Sequence, residues 1–186
     1  MSDGKVLGIA IRARWLGFAE LDAHRRILDW GMIYYQRKSP AELKSAKKRL
    51  EDILARTKPV CVALVLSGTK TNESVSAVRS ITRALQAAAT SRSIQIVALS
   101  RTAIRAAFAP CNARAKREIA SLLARVFPET AWKLPPERKI WAKEDSRMAL
   151  FDALAGAITY CEHQSGDAAC DKPWNIEPSG RLHGDV

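Results

Sequence analysis

From Ser74 to Arg117 the chain carries eight basic residues and no Asp or Glu: Arg79, Arg83, Arg92, Arg101, Arg105, Arg114, Lys116 and Arg117. Seven of the eight are arginine, whose planar guanidinium can make two parallel hydrogen bonds to a phosphate, where lysine offers a point charge. Solvated helix surfaces ordinarily mix both signs, because opposite charges four residues apart support the helix. A 44-residue stretch without an acid departs from that pattern. It favours a surface for polyanions over a merely solvated face. Arg12, Arg14 and Trp15 form a second, smaller cluster. An indole beside two cations is the combination that single-strand binders use for a base and its phosphates. Trp30, Trp132 and Trp141 could stack bases in the same way. Their plainer reading is core or partly buried packing, most of all for Trp30, which sits in a strand-like run between Asp29 and Gly31.

The whole chain agrees with that chemistry. Its 186 residues hold 30 Lys+Arg against 19 Asp+Glu, a formal net charge of +11, which favours nucleic acid or another anionic surface as partner. Hydrophobic residues are 47% of the total, enough for a globular core. No apolar run approaches the roughly 20 residues that cross a bilayer, so no membrane partner is expected. The opening Met1-Ser2-Asp3-Gly4-Lys5 lacks the layout of a secretory signal, and a cytoplasmic protein is expected. The four cysteines, Cys61, Cys111, Cys161 and Cys170, form no C-x-x-C pair. Cys161 with His163 falls short of a zinc signature, so thiols are expected, with Cys61 a small core residue.

Local pattern supplies the elements. Val6 to Ile11 is a short apolar run, Trp15 to Leu21 follows after Arg12-Ala13-Arg14, and Ile27 to Tyr35 follows the polar turn Asp22 to Arg26. Three strands with short connections predict an antiparallel meander. Ser39-Pro40-Ala41-Glu42 predicts a helix start, with an N-cap serine, a proline in the first turn and a glutamate able to close a capping box. Leu43, Ala46, Leu50, Ile53 and Leu54 continue it on one face. The apolar run Val60 to Leu66 predicts a strand covered on both faces, ended by Ser67-Gly68. Val75, Val78, Ile81 and Leu85 mark a second helix, and Ile94 to Leu99 a fifth strand. Ile104 and Phe108, then Ile119, Leu122, Leu123 and Val126, mark further helical pieces. Pro128, Pro135 and Pro136 interrupt the chain before a last helix from about Ser146 to Cys161, striped by Leu150, Leu154 and Ile158. The order β-β-β-α-β-α-β with right-handed crossovers predicts an α/β fold. Its mixed five-stranded sheet runs in the order 3-2-1-4-5 with helices on both faces. Residues 1–163 read as one domain and 164–186, without periodicity, as a mobile tail.

That order, with certain residues, resembles the RNase H-like superfamily and most closely its RuvC-type (Holliday junction resolvase-like) nucleases. Val6-Leu7-Gly8-Ile9-Ala10 followed by Arg14-x-x-Gly17-Phe18-Ala19 is similar to the opening hairpin of that branch, an apolar strand ending Gly-Ile-Asp and then Gly-aromatic-Ala. Ala115-Lys116-Arg117-Glu118 resembles the basic stretch ahead of the penultimate helix. Phe151-Asp152-Ala153-Leu154-Ala155-Gly156-Ala157 resembles the Asp-Ala-x-Ala helix that carries the last metal ligand. The resemblance covers residues 5 to 162. It implies acids on the first strand, the fourth strand and the last helix holding two divalent cations.

The departures are at those acids. Ala10 stands at the first-strand position, and Val62-Ala63-Leu64-Val65-Leu66 contains no acid. Asp152 matches the last-helix position, as a candidate catalytic and metal-binding residue. Glu144 and Asp145 lie close to two helical turns upstream and could join it, although acids just before a helix also cap amides and complement the dipole. Alternation puts Ala10, Arg12 and Arg14 on one side if the strand extends that far, and cations there would oppose Mg²⁺. Three readings follow. The first is a protein with a partly lost metal site that binds DNA or RNA, branched or structured, through backbone phosphates. The second is an active Mg²⁺- or Mn²⁺-dependent endonuclease using Asp152 with Asp145 or Glu144, and Glu20 or Asp22. The third is a protein-interaction scaffold. Only the second calls for a cofactor, and all three are compatible with a homodimer.

Overall fold

Alternation along the first strand decides the architecture. In β1 (Val6–Ile11) Leu7, Ile9 and Ile11 point to one face and Val6, Gly8 and Ala10 to the other, and the apolar side chains of both sets are buried. A strand buried on both faces must lie inside a sheet with a helix layer on each side. The computed structural model, which describes residues 4–66, 72–137 and 145–165, has that arrangement. Side chains are described except at 72–74 and 165. Glu144, Trp141, Ser67-Gly68, Cys170 and the tail beyond Ser165 lie outside the described residues.

β1 pairs antiparallel with β2 (Trp15–Leu21), which pairs antiparallel with β3 (Ile27–Tyr34). On its other side β1 runs parallel to β4 (Cys61–Leu66), which runs parallel to β5 (Gln95–Leu99). The order is β3-β2-β1-β4-β5, as expected from the sequence. One layer holds α1 (Pro40–Thr57) and α2 (Asn72–Thr90) over Leu7, Ile9, Ile11, Leu16, Phe18, Val62 and Leu64. The other holds α3 (Arg101–Phe108), α4 (Lys116–Val126) and α5 (Met148–Ser165) over Ala10, Ala19, Ala63 and Val65.

Helix starts follow local chemistry. Ser39 Oγ accepts from Glu42 N at 3.3 Å at the head of α1, while the Glu42 carboxylate reaches past the N-cap to accept from Gln36 N at 2.8 Å. Ser100 Oγ accepts from Ala103 N at 3.0 Å and starts α3. At the head of α4 the Glu118 carboxylate accepts from the amides of Arg114 and Ala115 at 2.9 and 2.7 Å. α5 begins at Met148 rather than Ser146, because Asp145 Oδ1 takes the Arg147 amide at 2.9 Å and holds residues 145–147 in a turn. It continues to Ser165, so the expected tail boundary at 164 falls inside the helix.

α5 is buried all round, between the sheet and α3 and α4. Small residues let it come close. A Cβ on Gly8 would sit 2.0 Å from the Ala153 carbonyl oxygen, and one on Gly17 would sit 2.2 Å from that of Ala149. The glycines of the opening hairpin therefore set how tightly the helix bearing Asp152 lies on β1 and β2.

Candidate nucleic-acid interface

Arg12 is the residue after β1 and continues its alternation, so its side chain leaves the sheet on the α5 side. Its backbone closes the hairpin, with Arg12 N donating to Trp15 O at 2.8 Å, and its carbonyl accepts from the Tyr35 hydroxyl. Fixed at both backbone groups, the guanidinium reaches α5 and donates to Asp152 Oδ2. Lys116, on the first turn of α4, brings Nζ to 2.9 Å of the same oxygen. Arg12 is 9% exposed and Asp152 7%, so this three-residue cluster is largely out of water.

Around it lies a pocket whose walls carry Arg101 and Arg105 from α3 and Arg114 from the α3–α4 connection, besides Lys116 and Asp152. Val65, Ile104, Ile119 and Phe151 form its apolar part. Arg101, Arg105 and Arg114 are exposed, spaced by one helical turn or by the connection so that they share this opening. Asp152 is the acid among these lining residues, set against four cations on the rim and Arg12 beneath.

The acid-free basic run does not form one surface. Arg79 and Arg83 are exposed on α2, in the opposite helix layer, and line a separate hollow with Lys47 of α1. Arg92 lies in the turn after α2, with Nη1 donating to Ala88 O at 2.8 Å. Arg117 is turned away from the pocket and donates to the carbonyls of Pro135 and Pro136, the latter at 2.7 Å, bracing the proline-rich connection. Sequence spacing could not distinguish these placements, because the run crosses from one helix layer to the other through β5.

The other acids considered with Asp152 go elsewhere. Asp145 makes a bidentate pair with Arg147 (Nε–Oδ1 3.0 Å, Nη2–Oδ2 2.7 Å), and these bonds hold its carboxyl below the usual range. Glu20 shares its face of β2 with Phe18, toward the α1 layer, and pairs with Lys5 at 2.9 Å, on the opposite side of the sheet from Asp152. Asp22 accepts from the amides of His24 and Arg26, both at 2.9 Å, and shapes the β2–β3 turn. Arg14 lies in the hairpin turn rather than on an extended β1, and it is exposed. Half-buried Trp15 packs against Tyr34, with ring centroids 4.9 Å apart. Trp30 is only half-buried, against the α5-side core and Trp132, which is 68% exposed.

Among solved structures the chain is similar to RuvC of Thermus thermophilus, once in complex with a Holliday junction substrate and once in a second structure. In both the identity is 22% and the TM-score 0.66, covering 87% of this chain and 96% of that one. It is also similar to the yeast mitochondrial Holliday junction resolvase at 14% identity and TM-score 0.63, covering 86% of this chain and 78% of that one. The fold is RNase H-like, of the RuvC type. No protein-family model and no curated protein matches the sequence.

On this RuvC-type fold, β1 and β4 lie side by side, with Ala10 opposite Val65, where the resemblance calls for acids. Two divalent cations roughly 4 Å apart need several carboxylates to offset their repulsion. Ala10 and Val65 have none to give, and the Asp152 carboxylate is already shared by Arg12 and Lys116. Among the described residues no group of three His, Cys, Asp or Glu side chains comes together to hold a metal ion. These residues do not fit Mg²⁺ or Mn²⁺. The sequence pointed to Arg12 and Asp152 separately; that Lys116 joins them was not legible, since α4 reaches Asp152 only through tertiary packing.

Proposed function

We propose that this chain binds DNA or RNA by its backbone phosphates, using the cationic pocket around Asp152 in place of a metal centre, without hydrolysing the strand. One observation carries the reading: Arg12 and Lys116 both engage the Asp152 carboxylate, with Arg101, Arg105 and Arg114 around the same opening. Asp152 then acts as an internal counter-ion that keeps five cations together before a ligand arrives. A phosphate entering the pocket meets guanidinium groups suited to bidentate contact in a partly dehydrated site, where charge-assisted hydrogen bonds are stronger.

Likeness to a RuvC solved with a Holliday junction substrate makes branched DNA the first nucleic acid to try. Arg79 and Arg83, in the other layer, add to the long-range field that attracts polyanions rather than to this contact. A single folded domain that runs to the end of α5 at Ser165, a cytoplasmic location and a homodimer belong to the same proposal. No helix among the described residues is long and apolar enough to cross a membrane.

The test is fluorescence anisotropy of a labelled four-way junction, a duplex and a structured RNA over a range of salt. Log K should fall linearly with log[salt], with a slope near −0.9 per phosphate contacted on duplex DNA, or about −4 for four to five contacts. Binding that ignores salt, or no binding at low salt, would remove the pocket's proposed role.

A further inference from the structure

Beside the Asp152 pocket, on the same face of the sheet, lies a second feature that phosphate binding does not use. Trp15 and Tyr34 are directly opposed in the β2–β3 register. Trp15 shares its parity with Gly17 and Ala19, so the pair stands on the α5 side, and the Arg12–Trp15 hydrogen bond ties it to the pocket. The two rings are tilted by 57° rather than stacked, and Tyr34 is 44% exposed. Next to Tyr34 is an open hollow of about 290 Å³ lined by Arg14, Gln36, Arg37 and Lys38. An aromatic ring in a hollow that also carries cations and an amide side chain matches the needs of a nucleotide: a π face for the base and charge for its phosphates.

We propose that Tyr34, supported by Trp15 and flanked by Arg14, Arg37 and Lys38, is a subsite for one unpaired base. Together with the pocket it selects nucleic acids that have a single strand leaving a duplex. The inference rests on the phosphate-binding reading above. A base inside a duplex is stacked on both faces and offers none to Tyr34. An unpaired base at a branch, gap or overhang offers one at a smaller cost of unstacking. The hairpin between Arg12 and Trp15 joins the two parts, so a strand whose phosphates lie in the pocket continues toward the aromatic pair.

The experiment compares a blunt 20-base-pair duplex with the same duplex carrying a five-nucleotide single-stranded overhang, by anisotropy at low salt in chelator. The wild-type protein should bind the overhang duplex about ten-fold more tightly, the weight of one stacked base. Tyr34→Ala should lose that preference and leave blunt-duplex affinity unchanged, while Tyr34→Phe should keep it. Circular dichroism and a denaturant midpoint check that each variant is folded. Equal affinity of the wild-type protein for the two duplexes would overturn the subsite alone. So would a Tyr34→Ala variant that loses affinity equally for both, or one that keeps the preference. Absence of binding to either duplex would instead overturn the phosphate-binding reading on which the subsite depends.

Discussion

Arg12 and Asp152 are joined by a buried ion pair across 140 residues of chain, linking the end of the first strand to the last helix. Lys116 completes the cluster from a third element. The pair ties the opening hairpin to α5 where glycines already bring backbone against backbone, so it serves the fold and the site together. Removing one partner of such a pair leaves a charge in a poorly solvated place, a larger penalty than the pair's own net contribution.

Asp152→Asn should therefore have two opposite effects. Folding stability should fall by about 3 kcal/mol or more, measured as a lower denaturant midpoint, because Arg12 and Lys116 lose their counter-ion. Affinity for a duplex should rise at least about five-fold at low salt, since even in a water-like dielectric one negative charge near 4 Å opposes a phosphate by about 1 kcal/mol. A folded variant that binds more weakly would contradict the view of Asp152 as an internal counter-ion.

Much of this fold was legible in the sequence, and the reason is local. β1 alternates between two apolar faces, Ser39 and Glu42 announce α1, and the apolar run at β4 requires cover on both sides. The candidate site was legible only in part. Arg12 and Asp152 drew notice by type and position, but Lys116 reaches Asp152 by helix packing that no spacing encodes. Grouping Arg79 and Arg83 with Arg101 failed because linear proximity says nothing of which side of a sheet a helix takes. The hollow at Gln36 to Lys38 left a trace, the run Tyr34-Tyr35-Gln36-Arg37-Lys38, which sets two aromatic residues just ahead of two basic ones. Tyr35 turned out to be core, so only the alternation of that run separates the exposed ring from the buried one.

Acid should destabilise the protein through its capping carboxylates. Glu118 is held below its ordinary range by the Ala115 and Arg114 amides, and Asp145 by its hydrogen bonds with Arg147. A carboxyl depressed in the fold contributes stability at pH values above its unfolded pKa, and that contribution is lost as pH falls through the folded value. Denaturant midpoints should thus drop below about pH 4.5, near the ordinary glutamate value. Glu118→Gln should be less stable than the wild-type protein at pH 7, and the gap should close in acid. A gap that stays constant from pH 7 to pH 3 would show that the carboxylate's charge plays no part at the head of α4.

No cleavage of duplex, branched or hybrid substrates is expected from the purified protein with Mg²⁺ or Mn²⁺. Ala10→Asp alone should not create it, since β4 would still supply no acid and Arg12 and Lys116 would still engage Asp152. The assay is a time course on labelled substrates with and without chelator. Robust metal-dependent cleavage that disappears in folded Asp152→Ala would favour the endonuclease reading instead.

The most direct test of the Asp152 pocket compares two charge reversals of the same basic run. Arg101, Arg105 and Arg114 changed together to Glu remove the rim of the pocket, whereas Arg79→Glu with Arg83→Glu alters the opposite helix layer. Affinities for one labelled duplex would be measured in chelator at low salt, with folding checked for both variants. The pocket reading predicts at least a hundred-fold loss for the triple variant and a salt slope shallower by about 3, one unit per phosphate contact removed. It predicts a much smaller loss and an unchanged slope for the double variant. Equal losses, or a greater loss in the double variant, would place binding outside the pocket and contradict the account.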